Sequence, residues 1–157
     1  KCPYCDFNSH TSKLIPEAAY LKALLADFDN DRQHIQGRPL RSIFIGGGTP
    51  SLLSPAFYDS LLANIKDKMD WADDIEITME ANPGTVEQES FAGYREAGIN
   101  RLSLGIQSFD DQKLEALGRI HGGSEAQQAI TIARQSGFDN FKTLFRSVFL
   151  DEFNQGN

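Results

Sequence analysis

Short apolar, β-branched segments alternate with segments of helical periodicity along this chain. Strands are predicted at residues 41–45, 74–79 and 101–108, with a fourth after Gly137. Apolar side chains recur at helical spacing in residues 16–34, 54–69, 85–97, 110–117 and 124–135. Because strands that alternate with helices are joined by crossovers, the pattern predicts an α/β fold with a parallel sheet.

Local signals mark where several of these helices begin and end. Ser54 followed by Pro55 is typical of a helix N-terminus. Thr85 and Gln88 have the spacing of a capping box, which predicts that Thr85 caps the third helix. Gly98 is predicted to end that helix. These signals fit one domain without a low-complexity linker.

Glycine-rich or polar residues stand where three predicted strands end. They are Gly-Gly-Gly-Thr-Pro at 46–50, Glu-Ala-Asn-Pro-Gly at 80–84, and Gln107. The carboxyl ends of parallel strands form the ligand-binding edge of α/β folds, so these residues predict one shared site. The alternative is that glycine and proline only punctuate tight turns. Glu80 is harder to explain that way, because an unpaired carboxylate behind an apolar strand is costly to bury.

The side chains at these positions suit a polar ligand. Glycines at 46–48 leave the backbone open to close approach. No Lys-Ser/Thr pair follows them, which argues against a P-loop for nucleoside triphosphates. Glu80 suits hydroxyls or an ammonium group, and Gln107 can donate and accept hydrogen bonds at once. Arg119 could pair with a ligand carboxylate, the alternative being a solvated arginine at a helix end.

Two cysteines, in Cys2-Pro-Tyr-Cys5, suggest a metal or redox site because both thiolates can face one ion or cluster. The sequence has no further cysteine, so it cannot complete an all-cysteine zinc site by itself. We expect further ligands upstream of Lys1 and therefore expect the chain to be a fragment. Half of a structural zinc site in an unrelated α/β domain is the alternative.

Composition narrows the class of protein. A net charge of -7 over 157 residues argues against nucleic-acid binding, which needs a surface rich in lysine and arginine. No apolar run approaches the roughly 20 residues of a transmembrane helix. Two nearby cysteines in an acidic chain suit a reducing compartment, so a cytoplasmic location is expected.

Four motifs in this order carry a resemblance to a known family: Cys2-x-x-Cys5, the 46–50 loop, Glu-Ala-Asn-Pro at 80–83, and Gly-Ile-Gln-Ser-Phe at 105–109. Together they resemble the radical S-adenosylmethionine superfamily. Within it, the chain is similar to the branch of oxygen-independent coproporphyrinogen III dehydrogenases and HemW-type haem chaperones. The resemblance implies a partial (β/α) barrel of parallel strands, with its motifs at the strand C-terminal ends and about three strands present.

The resemblance covers residues 1–141, which are expected to form the partial radical S-adenosylmethionine core. After Phe141 the family continues with a strand resembling Asn-x-Asp-Leu-x-x-Gly-Leu-Pro, and this chain does not. We therefore expect residues 142–157 to be a divergent tail, which a frameshift in the coding DNA would explain.

The resemblance also implies cofactors. A [4Fe-4S] cluster is held in this family by Cys-x3-Cys-x2-Cys, of which Cys2 and Cys5 match the second and third cysteines, and the first is expected four residues before Cys2. The family binds S-adenosylmethionine beside the cluster. The matching positions are Tyr4 for the adenine, Gly46, Gly47, Gly48 and Thr49 for the methionine amino group, and Glu80, Gln107 and Arg119 for the rest of the pocket.

Phe7 separates the two activities that the resemblance implies. Porphyrinogen dehydrogenases resemble a motif with one more cysteine at this position, whereas Phe7 is typical of the haem chaperones. The resemblance thus favours a protein that binds haem and delivers it to acceptor proteins. The alternative is radical decarboxylation of coproporphyrinogen III propionates to vinyl groups, with a porphyrinogen as the substrate.

Overall fold

A computed structural model describes residues 14–145 of the chain, without the side chains of residues 85 and 86. Its centre is one parallel sheet in the order β1-β2-β3-β4. The strands are β1 (Leu40–Ile45), β2 (Trp71–Ala81), β3 (Arg101–Gln107) and β4 (Asn140–Phe145). The predicted α/β class is confirmed, and the described part of the chain forms four strands, where about three were expected.

The strand order follows the chain order and never reverses. Crossovers between parallel strands are right-handed, so an order without reversal carries all helices to one face of the sheet. This arrangement is that of a (β/α) barrel segment, and it differs from a doubly wound sheet, whose order reverses at a switch point. Among the described residues, β1 and β4 each have a partner on one side only.

Within residues 14–145, five α-helices cover that face, and two short 3₁₀ turns accompany them. The helices are α1 (Glu17–Asp31), α2 (Pro55–Lys66), α3 (Thr85–Glu96), α4 (Asp111–Ala116) and α5 (Gly123–Gln135). The 3₁₀ turns are Arg32–His34, which extends α1, and Pro50–Leu52, which precedes α2. None of the helices between residues 14 and 145 has the length and hydrophobicity that a membrane crossing requires.

Capping follows the sequence in most places. Ser54 accepts a hydrogen bond from the Phe57 amide at 3.2 Å, which caps α2 as predicted. Helices α3, α4 and α5 each end at a glycine with positive φ, where two amides turn back onto the helix carbonyls. The predicted capping box of α3 is wrong. Its N-cap is Gly84, and the Gln88 side chain donates to the Pro83 carbonyl at 2.7 Å instead.

The hydrophobic core lies between the sheet and the helices. From β2 and β3 it receives alternate residues, and aromatic side chains of α2 and α3 pack against them. Its fully buried members include Ile77, Met79, Leu102, Leu104, Ile106, Phe91, Tyr94 and Phe138. The intervening residues of each strand point to the other side of the sheet, which we call the open face.

The open face is polar over most of its area. Arg101 lies 3.3 Å from a Glu76 carboxylate oxygen and donates to the Thr78 hydroxyl at 3.2 Å. Phe44 is the exception, a large ring that is 64% exposed. Beyond Thr78, Glu80 is the next residue of β2 on this face, so the open face leads directly to the carboxyl edge of the sheet.

Candidate functional site

The carboxyl edge of the sheet collects the residues that the sequence singled out. Ile45, the last residue of β1, is paired with Met79 of β2, and Glu80 is paired with Ser103 of β3. Gln107 is the last residue of β3. The glycine-rich loop after β1, Glu80 and Gln107 therefore stand at the same edge, as predicted.

Glu80 and the glycine-rich loop are in contact. One carboxylate oxygen of Glu80 accepts the Gly47 amide hydrogen bond at 3.3 Å. A Cβ at Gly46 would lie 3.1 Å from that oxygen and 2.7 Å from the Phe44 ring, and Gly47 has φ +119. The glycines thus meet two separate needs, a close approach at Gly46 and a left-handed backbone at Gly47. A role limited to punctuating a turn does not account for Gly46.

Two buried tyrosines form hydrogen bonds with the backbone at the end of this loop. The Tyr58 hydroxyl donates to the Pro50 carbonyl at 2.7 Å, and the Tyr94 hydroxyl lies 2.8 Å and 2.9 Å from the carbonyls of Ser51 and Leu53. Burial raises the pKa of both hydroxyls, which keeps them protonated as donors. Sequence analysis did not predict this role for either tyrosine, because an aromatic residue on a predicted helix indicates only a core residue.

Glu17 attaches the first helix to the same segment. Its carboxylate accepts hydrogen bonds from the Ser54 amide at 2.7 Å and from the Ser54 hydroxyl at 2.6 Å. The Thr49 hydroxyl donates to the neighbouring Gly48 carbonyl at 2.7 Å. Side chains of α1, α2 and α3 therefore fix the end of the loop, while the backbone of residues 46–48 stays exposed.

Arg119 bridges the ends of two strands. Its Nη2 donates to the Asn82 side-chain oxygen at 2.8 Å and to the Gly105 carbonyl at 2.9 Å. The side chain is half-buried, so the alternative of a solvated arginine at a helix end is wrong. A guanidinium held by two partners is fixed in orientation at this edge of the sheet.

Gln107 occupies a strained turn. It has φ +66, and the Ser108 amide donates to the Ile106 carbonyl at 2.8 Å across it, which closes a γ-turn. A non-glycine residue in this region costs about 1–3 kcal/mol, and such strain is concentrated at functional sites. The turn ends β3 at the edge of the sheet where Glu80 and Arg119 lie.

Charge and shape define what this edge can bind. It offers a carboxylate at Glu80, a guanidinium at Arg119, an amide at Gln107 and an open backbone at Gly46–Gly48. A ligand with an ammonium, a carboxylate and neighbouring hydroxyls would find a partner for each group. These groups therefore fit S-adenosylmethionine, and the exposed backbone of residues 46–48 supports such a fit.

Two cavities flank the sheet. A cavity of about 250 Å³ lies between α1 and the glycine-rich loop and is mostly apolar, with Ile15, Tyr20, Leu24, Pro50, Phe57 and Leu61 in its lining. A larger one, about 370 Å³, lies near the start of β1 and is lined by charged residues that include Arg32, Arg38, Lys66 and Lys68. The larger cavity contains none of the predicted site residues, so volume does not identify the candidate site here.

The predicted cluster ligands Cys2 and Cys5, and the predicted adenine neighbour Tyr4, lie outside the described residues. Between residues 14 and 145, no group of three or more histidine, cysteine or acidic side chains could hold a metal ion. The roles assigned to these three residues stay predictions.

Known proteins resemble this chain in sequence over most of its length. The profile of the Radical SAM superfamily matches residues 1–156. The Heme chaperone HemW of Haemophilus influenzae is 57% identical over 146 residues, which is 90% of this chain and 38% of that protein. The Heme chaperone HemW of Escherichia coli is 53% identical over 142 residues, with the same coverage of 90% and 38%. The chain thus spans little more than a third of the length of these curated relatives.

A solved structure resembles the fold. Coproporphyrinogen III oxidase (HemN) from Escherichia coli, described as a radical SAM enzyme, superposes with a TM-score of 0.77 at 26% sequence identity. The match covers 88% of this chain and 32% of that protein. The predicted partial barrel with parallel strands is confirmed by this likeness and by the sheet order.

Proposed function

Because the chain belongs to the radical SAM superfamily, we propose that it is the S-adenosylmethionine-binding part of a haem chaperone. The single observation that carries the proposal is the Glu80 carboxylate seated on the exposed glycine-rich loop, at the same edge as Arg119 and Gln107. Two proteins named as haem chaperones, at 57% and 53% identity, support the choice of activity.

Each residue of the edge has a part in holding S-adenosylmethionine. Gly46, Gly47, Gly48 and Thr49 receive the methionine amino group along the exposed backbone, and Tyr4 flanks the adenine. Glu80 accepts hydrogen bonds from the ligand, and Gln107 both donates and accepts. Arg119 pairs with the carboxylate, and its bonds to Asn82 and Gly105 orient it before the ligand arrives.

The [4Fe-4S] cluster is proposed to be bound by Cys2 and Cys5 together with a further cysteine. When bound, cluster and S-adenosylmethionine supply one-electron radical chemistry in this superfamily. The chain's own contribution is to hold the cofactor by groups that are fixed beforehand, with the core behind the sheet excluding water. We also propose that residues 1–141 form this core, that residues 142–157 are a divergent tail, and that the protein is cytoplasmic.

Haem is the proposed cargo, and haem-acceptor proteins are the proposed partners. Phe7 supports this choice, because it stands where the porphyrinogen dehydrogenases carry another cysteine. The second candidate is oxygen-independent coproporphyrinogen III dehydrogenase activity, which the likeness to the coproporphyrinogen oxidase fold favours. In that case a porphyrinogen would be bound and turned over at the same edge.

A haem titration of the complete gene product, with its cluster reconstituted anaerobically, tests the proposal. Saturable, stoichiometric binding followed by absorbance is expected, together with no turnover of coproporphyrinogen III. Turnover without stoichiometric haem binding would replace the chaperone by the dehydrogenase. A Phe7→Cys variant is the matched control, since it restores the dehydrogenase residue at the position that separates the two branches.

A further inference from the structure

The last two carbonyls of β3 before its terminal turn are bonded to side chains. β2 is paired with β3 as far as Ala81 and Leu104. β4 is paired with β3 through Leu104 and Thr143, and the register then shifts before Gln107. The carbonyls of Gly105 and Ile106 fall in this gap. Arg119 Nη2 lies 2.9 Å from the first, and His121 Nε2 lies 3.1 Å from the second.

The loop that provides both side chains is shaped to turn them onto β3. Helix α4 ends at Gly118 with φ +64, and the Arg119 amide donates back to the Leu114 carbonyl at 2.9 Å. His121 is 4% exposed, whereas its neighbour Ile120 is 100% exposed. The loop therefore buries alternate residues.

The far side of the loop is fixed as well. The Gly122 amide donates to a Glu125 carboxylate oxygen at 3.0 Å, and the Gly123 amide donates to an Asp111 carboxylate oxygen at 2.7 Å. Gly123 is in backbone contact with Phe109, where a Cβ would collide with the Phe109 carbonyl. His121 is thus held between two anchored segments and has little freedom to move away from Ile106.

The Ile106 carbonyl accepts hydrogen bonds from two donors. Besides His121 it accepts the Ser108 amide at 2.8 Å, the bond that closes the γ-turn around Gln107. A carbonyl can accept two hydrogen bonds, and their directions together set its orientation. Because this carbonyl belongs to the peptide unit that ends at Gln107, its orientation determines the backbone of the strained residue.

We propose that His121 is a positioning residue whose Nε2–H, bonded to the Ile106 carbonyl, sets the turn that presents Gln107 at the ligand edge. A carbonyl oxygen only accepts, so the ring carries its proton on Nε2. The charged side chains that act on the His121 ring are those of Arg119 and Glu125, which carry opposite charges. The inference rests on the proposed function only in assigning Gln107 to the S-adenosylmethionine pocket.

Two substitutions in the complete gene product separate the N–H from the bulk of the ring. His121→Gln keeps an N–H donor at a similar reach, and His121→Leu keeps the volume without the donor. We expect His121→Leu to weaken S-adenosylmethionine binding in calorimetry about tenfold and to speed amide exchange at Ser108 by a similar factor, the loss of one buried hydrogen bond. His121→Gln should restore both within about threefold.

Leu62→Ala is the matched control, because Leu62 is a buried core residue of α2 and has no part in the hydrogen bonds described above for the terminal turn of β3. It should lower the unfolding temperature yet leave S-adenosylmethionine affinity within about twofold of the parent. Parent-like binding and Ser108 exchange in His121→Leu would overturn the proposal, as would a His121→Gln variant that is as impaired as His121→Leu.

Two further outcomes keep the inference separate from the proposed function. If the parent does not bind S-adenosylmethionine, the proposed function fails, whereas Ser108 exchange in the variants still decides the role of His121. If His121→Leu does not fold, ¹⁵N spectra of the histidine rings in the parent decide it. A neutral ring protonated on Nε2 supports the proposal, and a ring protonated only on Nδ1 overturns it.

Discussion

Glu76 and Glu80 lie four residues apart on the same face of β2, and they have different partners. Glu76 is paired with Arg101, and Glu80 with the backbone amide of Gly47. A glutamine at 80 could still accept that amide but would carry no charge. We therefore expect Glu80→Gln to keep its folding stability within about 0.5 kcal/mol and to lose about tenfold in S-adenosylmethionine affinity.

Calorimetric titration and thermal unfolding of the complete gene product measure both effects. Glu76→Gln is the matched control, since it removes a carboxylate from the same strand face away from the loop. It should bind S-adenosylmethionine as the parent does. Equal affinity in the parent and Glu80→Gln would contradict the role given to Glu80.

His121 gives folding stability a dependence on pH. Burial lowers the pKa of His121 below its usual value, and the Arg119 charge acts in the same direction. The unfolded chain therefore binds this proton more readily than the folded chain, and stability is lost as the pH falls through about 6.5. Denaturant midpoints at about pH 7.5 and pH 5.5 should differ less in His121→Gln than in the parent.

His34→Gln is the matched control for that measurement. His34 is an exposed residue of the 3₁₀ turn after α1, and its replacement leaves the buried ring in place. This variant should keep the contribution of His121 to the pH dependence. Identical pH dependence in the parent and His121→Gln would show that His121 is not the group responsible.

The site residues at strand ends could be predicted from sequence, but the distant side chains that hold the neighbouring backbone in place could not. Gly46, Glu80 and Gln107 stand in short motifs at the ends of predicted strands, where the architecture makes polar residues informative. Tyr94 contacts Ser51 and Leu53 across more than 40 positions of the chain. No local pattern distinguishes such a tyrosine from an ordinary core residue, because its hydroxyl finds its partner only in the folded chain.

Among the elements, the 3₁₀ turn after the glycine-rich loop depends most on distant side chains. The Tyr94 hydroxyl connects this turn to α3 by a hydrogen bond, and the Tyr58 hydroxyl connects it to α2 in the same way. Tyr94→Phe leaves two carbonyls without this partner and should cost about 1–3 kcal/mol of unfolding free energy. Tyr58→Phe, which affects one carbonyl, should cost less.

Chemical denaturation of the two variants checks this order. Tyr20→Phe is the control, since Tyr20 is 46% exposed and stacks on Phe57 through its ring, which phenylalanine retains. It should stay within about 0.5 kcal/mol of the parent. A Tyr94→Phe variant as stable as Tyr20→Phe would mean that the hydroxyl does not hold the turn.

The corner between β3 and α5 depends on a glycine for a steric reason. A Cβ at Gly123 would collide with the Phe109 backbone, which cannot move aside as a flexible side chain could. Gly37 has φ +69 but open space around it. Gly123→Ala should therefore cost about 3 kcal/mol and Gly37→Ala about 1 kcal/mol, measured by denaturant unfolding. The reverse order would contradict the close contact.

Helix and strand identities were predictable because periodicity and turn residues agree along the chain. The boundaries were less so: β2 extends to Trp71–Ala81, beyond the predicted 74–79, because pairing with β1 and β3 prolongs a strand that its own sequence would end sooner. Gln88 met the spacing of a capping box, yet the Pro83 carbonyl offered a buried partner and the amide bonds there. Tertiary contacts override local propensity in both cases.

For the whole molecule, the number of cysteines limits its ability to bind a [4Fe-4S] cluster. The 157 residues include two, whereas the family resemblance requires three for a [4Fe-4S] cluster. We expect anaerobic reconstitution of this polypeptide with iron and sulfide to give no stable [4Fe-4S] absorption spectrum. A version with a cysteine four residues before Cys2 should give one, and Cys5→Ser in that version should remove it. A stable spectrum from the unmodified chain would contradict the assignment.

The strand order has a consequence for how the molecule is made. Ile43 meets Ile77, Met79 meets Leu102, and Leu102 meets Phe141, so each strand joins the one synthesised immediately before it. A nascent chain leaving the ribosome can therefore add one strand and its covering helix at a time, from the N-terminus onward. No gap has to be kept open in the growing sheet for a strand that arrives later. Assembly by addition to one end keeps each closing loop no longer than one crossover connection, which limits its entropic cost.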